Sequence, residues 1–364
     1  LVYRGTKESK NFSNAMVYIK LAIIALVIIV GAFYVDIDNW TPFMPNGFSG
    51  VMGGVSAVFF AYIGFDAVST LAEESKNPQR DLPKGMIYSL VICTIVFIIL
   101  ALVITGMVSY ELLGVSDPLA EIFALKGVKW MLFVVSIAAV VAMTSVLLVF
   151  QMGQPRIWMT MSRDGLMPKR FSRIHPKYKT PSYATLVTGL VVGIPIFFTD
   201  ENFVLDFTSI GTLFAFVLVC GGVLMLSPQS EAEIAERETK GKFRIPYVNS
   251  KFIFPAIMVV AVALILRYVP DFFTNVFDFS TGEKLATNIP MLVFLIVCIV
   301  MTFVSFTKNL SLIPLLGLIS CCYLLTGMAV SNWMWFGVWL VIGLIIYFTF
   351  SYKNSKLNTE VEKK

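Results

Sequence analysis

Residues 51–85 read VMGGVSAVFFAYIGFDAVSTLAEESKNPQRDLPKG. The stretch is apolar enough for a membrane-spanning helix up to residue 73, but Gly64 and Asp66 fall near the middle of this apolar part. An uncompensated carboxylate at that depth costs on the order of several kcal/mol, so an ionisable side chain there indicates a functional site. A helix unwound around residues 62–65 would also expose carbonyls and amides, which are tolerated only where they line a cavity or face a ligand. The stretch therefore predicts a broken membrane helix at a binding site, although a glycine there could also serve close helix packing alone.

The composition is that of an integral membrane protein. Hydrophobic residues make up 57% of the chain and charged residues 14%, and the mean hydropathy is +0.80. In soluble proteins, about a quarter of all residues are charged. A helix needs roughly 17–25 apolar residues to cross the hydrocarbon core, and the chain contains repeated apolar stretches that reach or approach this length. The strands of a membrane barrel would be about half as long. We therefore predict an all-α polytopic membrane protein with about ten spans. The spans are expected near residues 14–35, 51–73, 85–108, 129–153, 182–199, 203–227, 253–270, 288–307, 310–330 and 333–352.

Lysine and arginine are concentrated in alternate loops. Seven of them follow the fourth predicted span and five follow the sixth, whereas the intervening loops carry acids such as Asp36 and Asp38. Basic residues in short loops stay on the cytoplasmic side of a membrane. Both chain ends are therefore expected in the cytoplasm, and the net charge of +5 does not indicate a nucleic acid partner.

The residue types of metal and catalytic sites are scarce. Five cysteines lie within predicted spans, and the only histidine, His175, lies in a basic loop. Cysteines in membrane helices more often fill packing gaps than form disulfides. With no metal-ligand spacing and no nucleophile beside a base, we predict no metal, no cofactor and no catalytic residue.

Polar side chains inside the spans allow more than one interpretation. Lys20 lies about two turns inside the first span, where its long side chain could extend back to the interface. Alternatively, desolvation would disfavour its ammonium, so that Lys20 could gain and lose a proton near neutral pH and act as a coupling group. The hydroxyls of Thr144 and Ser145 could bond to a carbonyl one turn earlier, or they could face a ligand or ion.

The cytoplasmic loops are also open to two interpretations. The loop after the second span contains Pro78 and Pro83 and could be a plain helix stop. It could instead act as a gate in which Glu74 pairs with Arg80 or another basic residue of the loop. Residues 157–168 form an amphipathic stretch that is expected to lie on the inner membrane surface.

Five segments, taken in order, resemble one transporter family. They are KESKNFSNAMVYIK (7–20), FFAYIGFDAVSTLAEESKNPQRDLPKG (59–85), MTSVLLVFQMGQPRIWMTMSRDGLMPK (143–169), IGTLFAF (210–216) and FRIPYV (243–248). They resemble bacterial relatives of the cationic amino acid transporters, which belong to the amino acid, polyamine and organocation (APC) superfamily. The resemblance is continuous from the N-terminus to about residue 246 and resumes in the last two spans.

The resemblance implies a core of two inverted five-helix repeats with broken first helices, which rocks to give alternating access to a site at the membrane midplane. Residues 14–35 then match the last helix of the first repeat, and residues 51–227 match the complete second repeat. The chain begins at Leu1 without an initiating Met, so we expect four helices of the family's core to be missing before it. The remaining regions are expected to be a cytoplasmic linker at 228–252, four peripheral helices at 253–352 and a cytoplasmic tail at 353–364.

The resemblance also implies a substrate site. Phe59, Phe60, Ala61 and Ile63 match the unwound segment, whose carbonyls hold the amino group of the substrate and whose aromatic ring covers the pocket. Phe150 matches a pocket-lining position, where a bulky ring would favour smaller, neutral amino acids over arginine. The family's glycine-rich break, which receives the substrate carboxylate, lies on a helix that precedes this chain, so the substrate is not identified.

Four further residues receive supporting roles. Lys20 matches the lysine that, in proton-coupled members, occupies the place of sodium in sodium-coupled relatives. A proton is therefore the expected coupling ion, and sodium is less favoured. Gly64 and Asp66 lie at the helix break, where Asp66 stabilises the start of the second half-helix, and Thr144 is placed with them as a structural residue.

The predicted function is secondary active transport of amino acids, with proton-coupled uptake and substrate bound at residues 60–65. An exchanger would instead use Lys20 as a fixed positive charge, and a membrane-embedded sensor would bind an amino acid without translocating it. A membrane enzyme is least favoured because the catalytic residue types are missing. We expect the chain in the cytoplasmic membrane of a bacterium, with an amino acid, the lipid bilayer and the missing N-terminal helices as its partners.

Overall fold

The computed structural model describes residues 6–115, 117–226, 247–280 and 282–356. Within these ranges, the side chains at 6–10, 49, 56–57, 71–74, 201 and 283 are not described. The described residues form helices and turns, together with one antiparallel bridge between Asn249 and Ser311. The prediction of an all-α chain is confirmed.

The α-helices of the described residues are numbered here in chain order. They are α1 (Thr6–Ala32), α2 (Gly47–Tyr62), α3 (Pro78–Met107), α4 (Pro118–Leu125), α5 (Lys129–Arg163), α6 (Ser182–Gly193), α7 (Glu201–Met225), α8 (Ile253–Tyr268), α9 (Phe272–Val276), α10 (Gly282–Thr307), α11 (Leu312–Thr326), α12 (Val330–Ile346) and α13 (Tyr352–Asn354). A 3₁₀ segment at Phe65–Glu74 follows α2, and a π-helical turn at Tyr347–Ser351 joins α12 to α13.

Among the described residues, seven helical stretches are long and apolar enough to cross a membrane. They are Asn11–Ala32, Gly50–Thr70, Pro78–Met107, Lys129–Arg163, Asn202–Met225, Lys284–Thr307 and Val330–Asn354. The other three predicted spans coincide with shorter apolar helices at Ser182–Phe197, Ile253–Tyr268 and Leu312–Thr326. Each of the ten predicted spans therefore corresponds to an apolar helical stretch. Most of the predicted linker, residues 228–246, lies outside the described residues.

Two stretches that were expected outside the spans are helical. Pro78 occupies the start of α3, where its missing N–H is not needed, and Pro83 lies in the next turn. The proline-containing stretch therefore begins α3 instead of only ending the helix before it. Residues 157–163, expected on the membrane surface, continue α5 beyond Pro155.

The helices group into two units, which are described separately. Unit 1 consists of Leu1–Pro45, Gly64–Phe198 and Leu344–Lys364, and unit 2 consists of Asn46–Ile63 and Thr199–Gly343. In unit 1, one buried apolar cluster joins four helices through Val27 of α1, Met107 of α3, Phe123 of α4 and Met131 of α5. This packing sets α1 beside α5, and both helices carry residues of the candidate site.

In unit 2, α7, α11 and α12 share a buried cluster of Ile210, Leu213, Leu325 and Phe336. A polar contact supports the same packing, because the side-chain amide of buried Asn332 in α12 donates to the Asp206 carboxylate of α7 at 2.7 Å. This acid near the start of a membrane helix therefore has a hydrogen-bond donor from a neighbouring helix.

Candidate substrate and coupling site

The second span is interrupted in the middle of its apolar run. The α2 helix ends at Tyr62, and Ile63 is extended with φ −60° and ψ 132°. Gly64 follows with φ +116°, a conformation that residues with a Cβ rarely adopt. The Ile63 N–H donates to the Phe60 carbonyl at 3.1 Å and so caps the end of α2. Carbonyls in the last turn of an α-helix have no donor within the helix, and unwound carbonyls of this kind can coordinate a cation.

The chain continues after Gly64 as a 3₁₀ segment of ten residues, Phe65–Glu74. Runs of 3₁₀-helix longer than about four residues are uncommon and often mark a hinge or a strained sequence. Asp66 lies in the first turn of this segment and is half-buried. A carboxylate at the start of a helix interacts favourably with the N–H groups there. This position fits the structural role proposed for Asp66.

The 3₁₀ segment packs against α5. A Cβ added at Gly153 of α5 would lie 2.9 Å from the Thr70 hydroxyl, so the two backbones approach closely. A Cβ at Gly64 would lie 3.8 Å from Cζ of Phe150. The structure thus brings two residues of the predicted site, Gly64 and Phe150, into contact distance, and the Phe150 ring is 47% exposed.

Lys20 has a hydrogen-bond partner on α5. Its ammonium donates to the hydroxyl of Ser145 at 3.1 Å, across 125 positions of sequence. Ser145 is only 2% exposed, and Lys20 is half-buried. Within the described residues, Lys20 makes no ion pair with a carboxylate.

The hydroxyl of Ser145 can act both as acceptor and as donor. It accepts a hydrogen bond from an ammonium and can donate one to a neutral amine. The sequence offered the hydroxyls of Thr144 and Ser145 together as possible ligand contacts, and it did not show which of the two faces α1.

The other predicted residues lie in different surroundings. Thr144 is exposed, and its hydroxyl donates to the Val140 carbonyl one turn earlier at 2.8 Å. Arg80 is exposed at the start of α3. The side chain of Glu74 lies outside the described residues, so the pairing of Glu74 with Arg80 stays a prediction.

The residues before the interruption belong to unit 2. Phe59 is half-buried and packs against the cluster of Ile210 and Leu213, with its ring 6.5 Å from that of Phe216. Phe60 and Ala61 are exposed, and Ile63 is half-buried. Phe59 is therefore held in place by packing, whereas the Phe60 side chain is 39% exposed.

Replacing Ser145 by alanine should weaken the transport that the sequence predicts. Loss of a hydrogen bond to a charged group costs about 1.5–3 kcal/mol, which corresponds to at least a tenfold effect on a step that depends on it. We expect amino acid uptake by the natural protein to fall about tenfold in Ser145→Ala and to recover in Ser145→Thr, which keeps the hydroxyl. Exposed Ser136 on the same helix provides the control, Ser136→Ala. Equal uptake in the two alanine variants would contradict a role for the Lys20–Ser145 contact.

The chain has apolar helices of membrane-spanning length. One of them is interrupted at Gly64, and another carries the half-buried Lys20 with its hydrogen bond to Ser145. These features define a polytopic membrane protein. The sequence matches the model of the amino acid permease family over residues 1–297. The chain belongs to this family. The family is one of permeases, not enzymes, and its membership confirms the resemblance to APC transporters.

Individual relatives carry several substrate names. The branched-chain amino acid permease BcaP of Bacillus subtilis (strain 168) is 35% identical over 359 residues, which cover 98% of this chain and 63% of that protein. The methylthioribose transporter of the same organism is 34% identical over 98% of this chain and 63% of its own length. The chloroplastic cationic amino acid transporter 9 of Arabidopsis thaliana is 42% identical over 65% of this chain and 42% of its length. The chain thus spans less than two thirds of the length of these relatives.

Proposed function

We propose that the natural protein containing this chain is a secondary active transporter that takes up amino acids together with protons across the cytoplasmic membrane. The observation that carries the proposal is the interruption at Ile63 and Gly64, where an apolar span changes from α-helix to 3₁₀ geometry. In this proposal, the carbonyls around Ala61 and Ile63 receive the amino group of the substrate, and Phe60 covers it. Binding at an interrupted helix allows the site to open to one side of the membrane at a time.

Lys20 is the proposed proton carrier. Its ammonium donates to the Ser145 hydroxyl, and no carboxylate pairs with it in the part of the chain that the structure describes, so both its charged and neutral forms have a suitable partner. A proton bound at Lys20 can then favour one conformation of α1 and α5, and its loss the other.

The proposed substrate class is small neutral amino acids. Phe150 supports this class, because its bulky ring lies next to Gly64 at the interruption. The relative named for branched-chain amino acids matches nearly the whole of this chain, which makes leucine, isoleucine and valine the first candidates. The other relatives, named for methylthioribose and cationic amino acids, supply the competing candidates.

The test is uptake of radiolabelled leucine by the purified natural protein, with any sequence that flanks this chain, in proteoliposomes. We expect uptake when the outside is acidic, loss of uptake with a protonophore, and competition by valine but not by arginine. Uptake that requires sodium and ignores the pH gradient would overturn the proton mechanism. Uptake that depends on substrate inside the proteoliposomes would identify an exchanger. Binding of leucine without its transport would identify a sensor.

A further inference from the structure

The end of the described chain makes specific contacts with the turn that follows α5. The hydroxyl of Ser351, which is 5% exposed, donates to the Leu166 carbonyl at 2.7 Å. The backbone N–H of Lys356 donates to the Asp164 carbonyl at 3.1 Å. Both acceptors lie just beyond the end of α5, where a helix leaves carbonyls without intrahelical donors. Residues 347–356 therefore satisfy acceptors of the turn at 164–168.

Glycine makes this contact possible. Gly165 has φ +86°, and a Cβ added there would collide with the carbonyl oxygen of Asn354 and lie 3.0 Å from its carbonyl carbon. The backbones of Gly165 and Asn354 thus approach more closely than any side chain would permit. Gly165 is needed both for its left-handed conformation and for this approach.

The contacting segment also has unusual helical geometry. Residues Tyr347–Ser351 form a π-helical turn, which ends at Ser351. Single π turns are rare and frequently occur at functional sites. The extra residue of a π turn rotates the next part of the chain relative to a regular α-helix, so the turn sets the direction in which Ser351 and its C-terminal neighbours face.

The turn that receives these contacts is itself held in place. The N–H of Leu166 donates to the Met161 carbonyl at 2.9 Å, and the buried Ser162 hydroxyl donates to the Pro168 carbonyl at 2.8 Å. The same helix carries Ser145, the partner of Lys20, about 27 Å nearer its other end. A restraint on this turn therefore acts on the helix that holds the proposed coupling residue.

We propose that residues 347–356 form a clamp on the turn at 164–168, and that this clamp slows transport by holding the end of α5 in one conformation. Contacts that exist in one conformation must break before the protein can leave it, so weakening them speeds that step. One hydrogen bond of ordinary strength corresponds to about a two- to tenfold change in such a rate. The effect on transport rests on the function proposed above, whereas the clamp contact itself does not.

Gly165→Ala tests the clamp, and Gly127→Ala is its matched control. Gly127 has φ +75°, close to that of Gly165, but a Cβ there would meet nothing within 4 Å. Both variants carry similar backbone strain, and only Gly165→Ala displaces Asn354. In the natural full-length protein, we expect hydrogen–deuterium exchange of residues 160–168 to be about tenfold faster in Gly165→Ala than in Gly127→Ala. We also expect initial uptake in proteoliposomes to rise about two- to tenfold.

Ser351→Ala provides a second, milder test. Its control is Thr349→Val, because the Thr349 hydroxyl donates to the Ile345 carbonyl of its own helix. Equal exchange in variants and controls would show that the clamp does not restrain the turn. Faster exchange with unchanged or lower uptake would overturn its effect on transport. If even the unaltered protein shows no uptake, the proposed function fails, and the exchange comparison alone decides whether the clamp exists.

Discussion

Lys20→Met is expected to reduce proton-driven amino acid uptake at least about a hundredfold while leaving the protein folded. Methionine keeps a long, flexible side chain that can fill the same space beside α5, but it cannot bind a proton or donate to Ser145. Loss of the hydrogen bond to a charged group alone accounts for about a tenfold effect or more, and in the proposed mechanism loss of the proton-carrying side chain also removes the coupling. The measurement is initial leucine uptake in proteoliposomes over a range of external pH.

Lys20→Arg separates the two transport mechanisms. Arginine stays protonated at all physiological pH values, so it preserves a fixed positive charge but cannot release a proton. A proton symporter should lose net uptake in this variant, whereas an exchanger that needs only the charge should keep exchange. Exposed Lys129 at the start of α5 supplies the control, Lys129→Met. An unaltered pH profile of uptake in Lys20→Met would contradict the coupling role and would favour the interpretation that the Lys20 side chain only extends to the membrane interface.

Gly64→Ala is expected to lower uptake about ten- to a hundredfold. At φ +116°, a residue with a Cβ is strained by about 1–3 kcal/mol, so the chain would relieve the strain by moving the interruption or by extending the helix through it. Either change displaces the carbonyls of Ala61 and Ile63, which the proposed mechanism uses for binding. The added methyl group would also come within 3.8 Å of the Phe150 ring.

The matched control for this variant is Gly54→Ala in the same span. Gly54 lies inside α2, and a Cβ there would meet nothing within 4 Å, so alanine should be tolerated. Leucine affinity and thermal stability should be measured for both variants. The proposal predicts that affinity falls in Gly64→Ala alone. Equal affinity and uptake in the two variants would mean that the interruption at Gly64 does not form the binding site.

The positions of the helices follow closely from the sequence because a membrane-spanning helix requires only a local run of apolar residues. A run of apolar residues of sufficient length identifies a span whatever its neighbours are, and all ten predicted runs coincide with apolar helical stretches in the described residues. The ends were harder to predict. Pro78 was interpreted as the end of a helix because proline disrupts a helix interior, but proline is also favoured at the first position of a helix, and Pro78 begins α3. Only the surrounding packing decides between these uses.

The partners of the predicted site residues did not follow from the sequence. Lys20 and Ser145 are 125 positions apart, and neighbouring Thr144 offers the same hydroxyl. The choice depends on how α5 is rotated against α1, which the buried cluster around Val27, Met107 and Met131 sets. Ser351 and Leu166 are 185 positions apart, and their contact depends on a π turn that no residue pattern in the sequence predicts.

By itself, the sequence determined the membrane class, the spans and the interruption at Gly64, because apolar length and a mid-span glycine act within a few residues. Tertiary structure alone decided that Lys20 meets a hydroxyl instead of a carboxylate, that the Phe150 ring lies beside Gly64, and that the last described residues hold the turn after α5. These contacts depend on the rotation and approach of helices that are distant in sequence. A rotation of one helix by a single residue position would exchange every partner while leaving the local pattern unchanged.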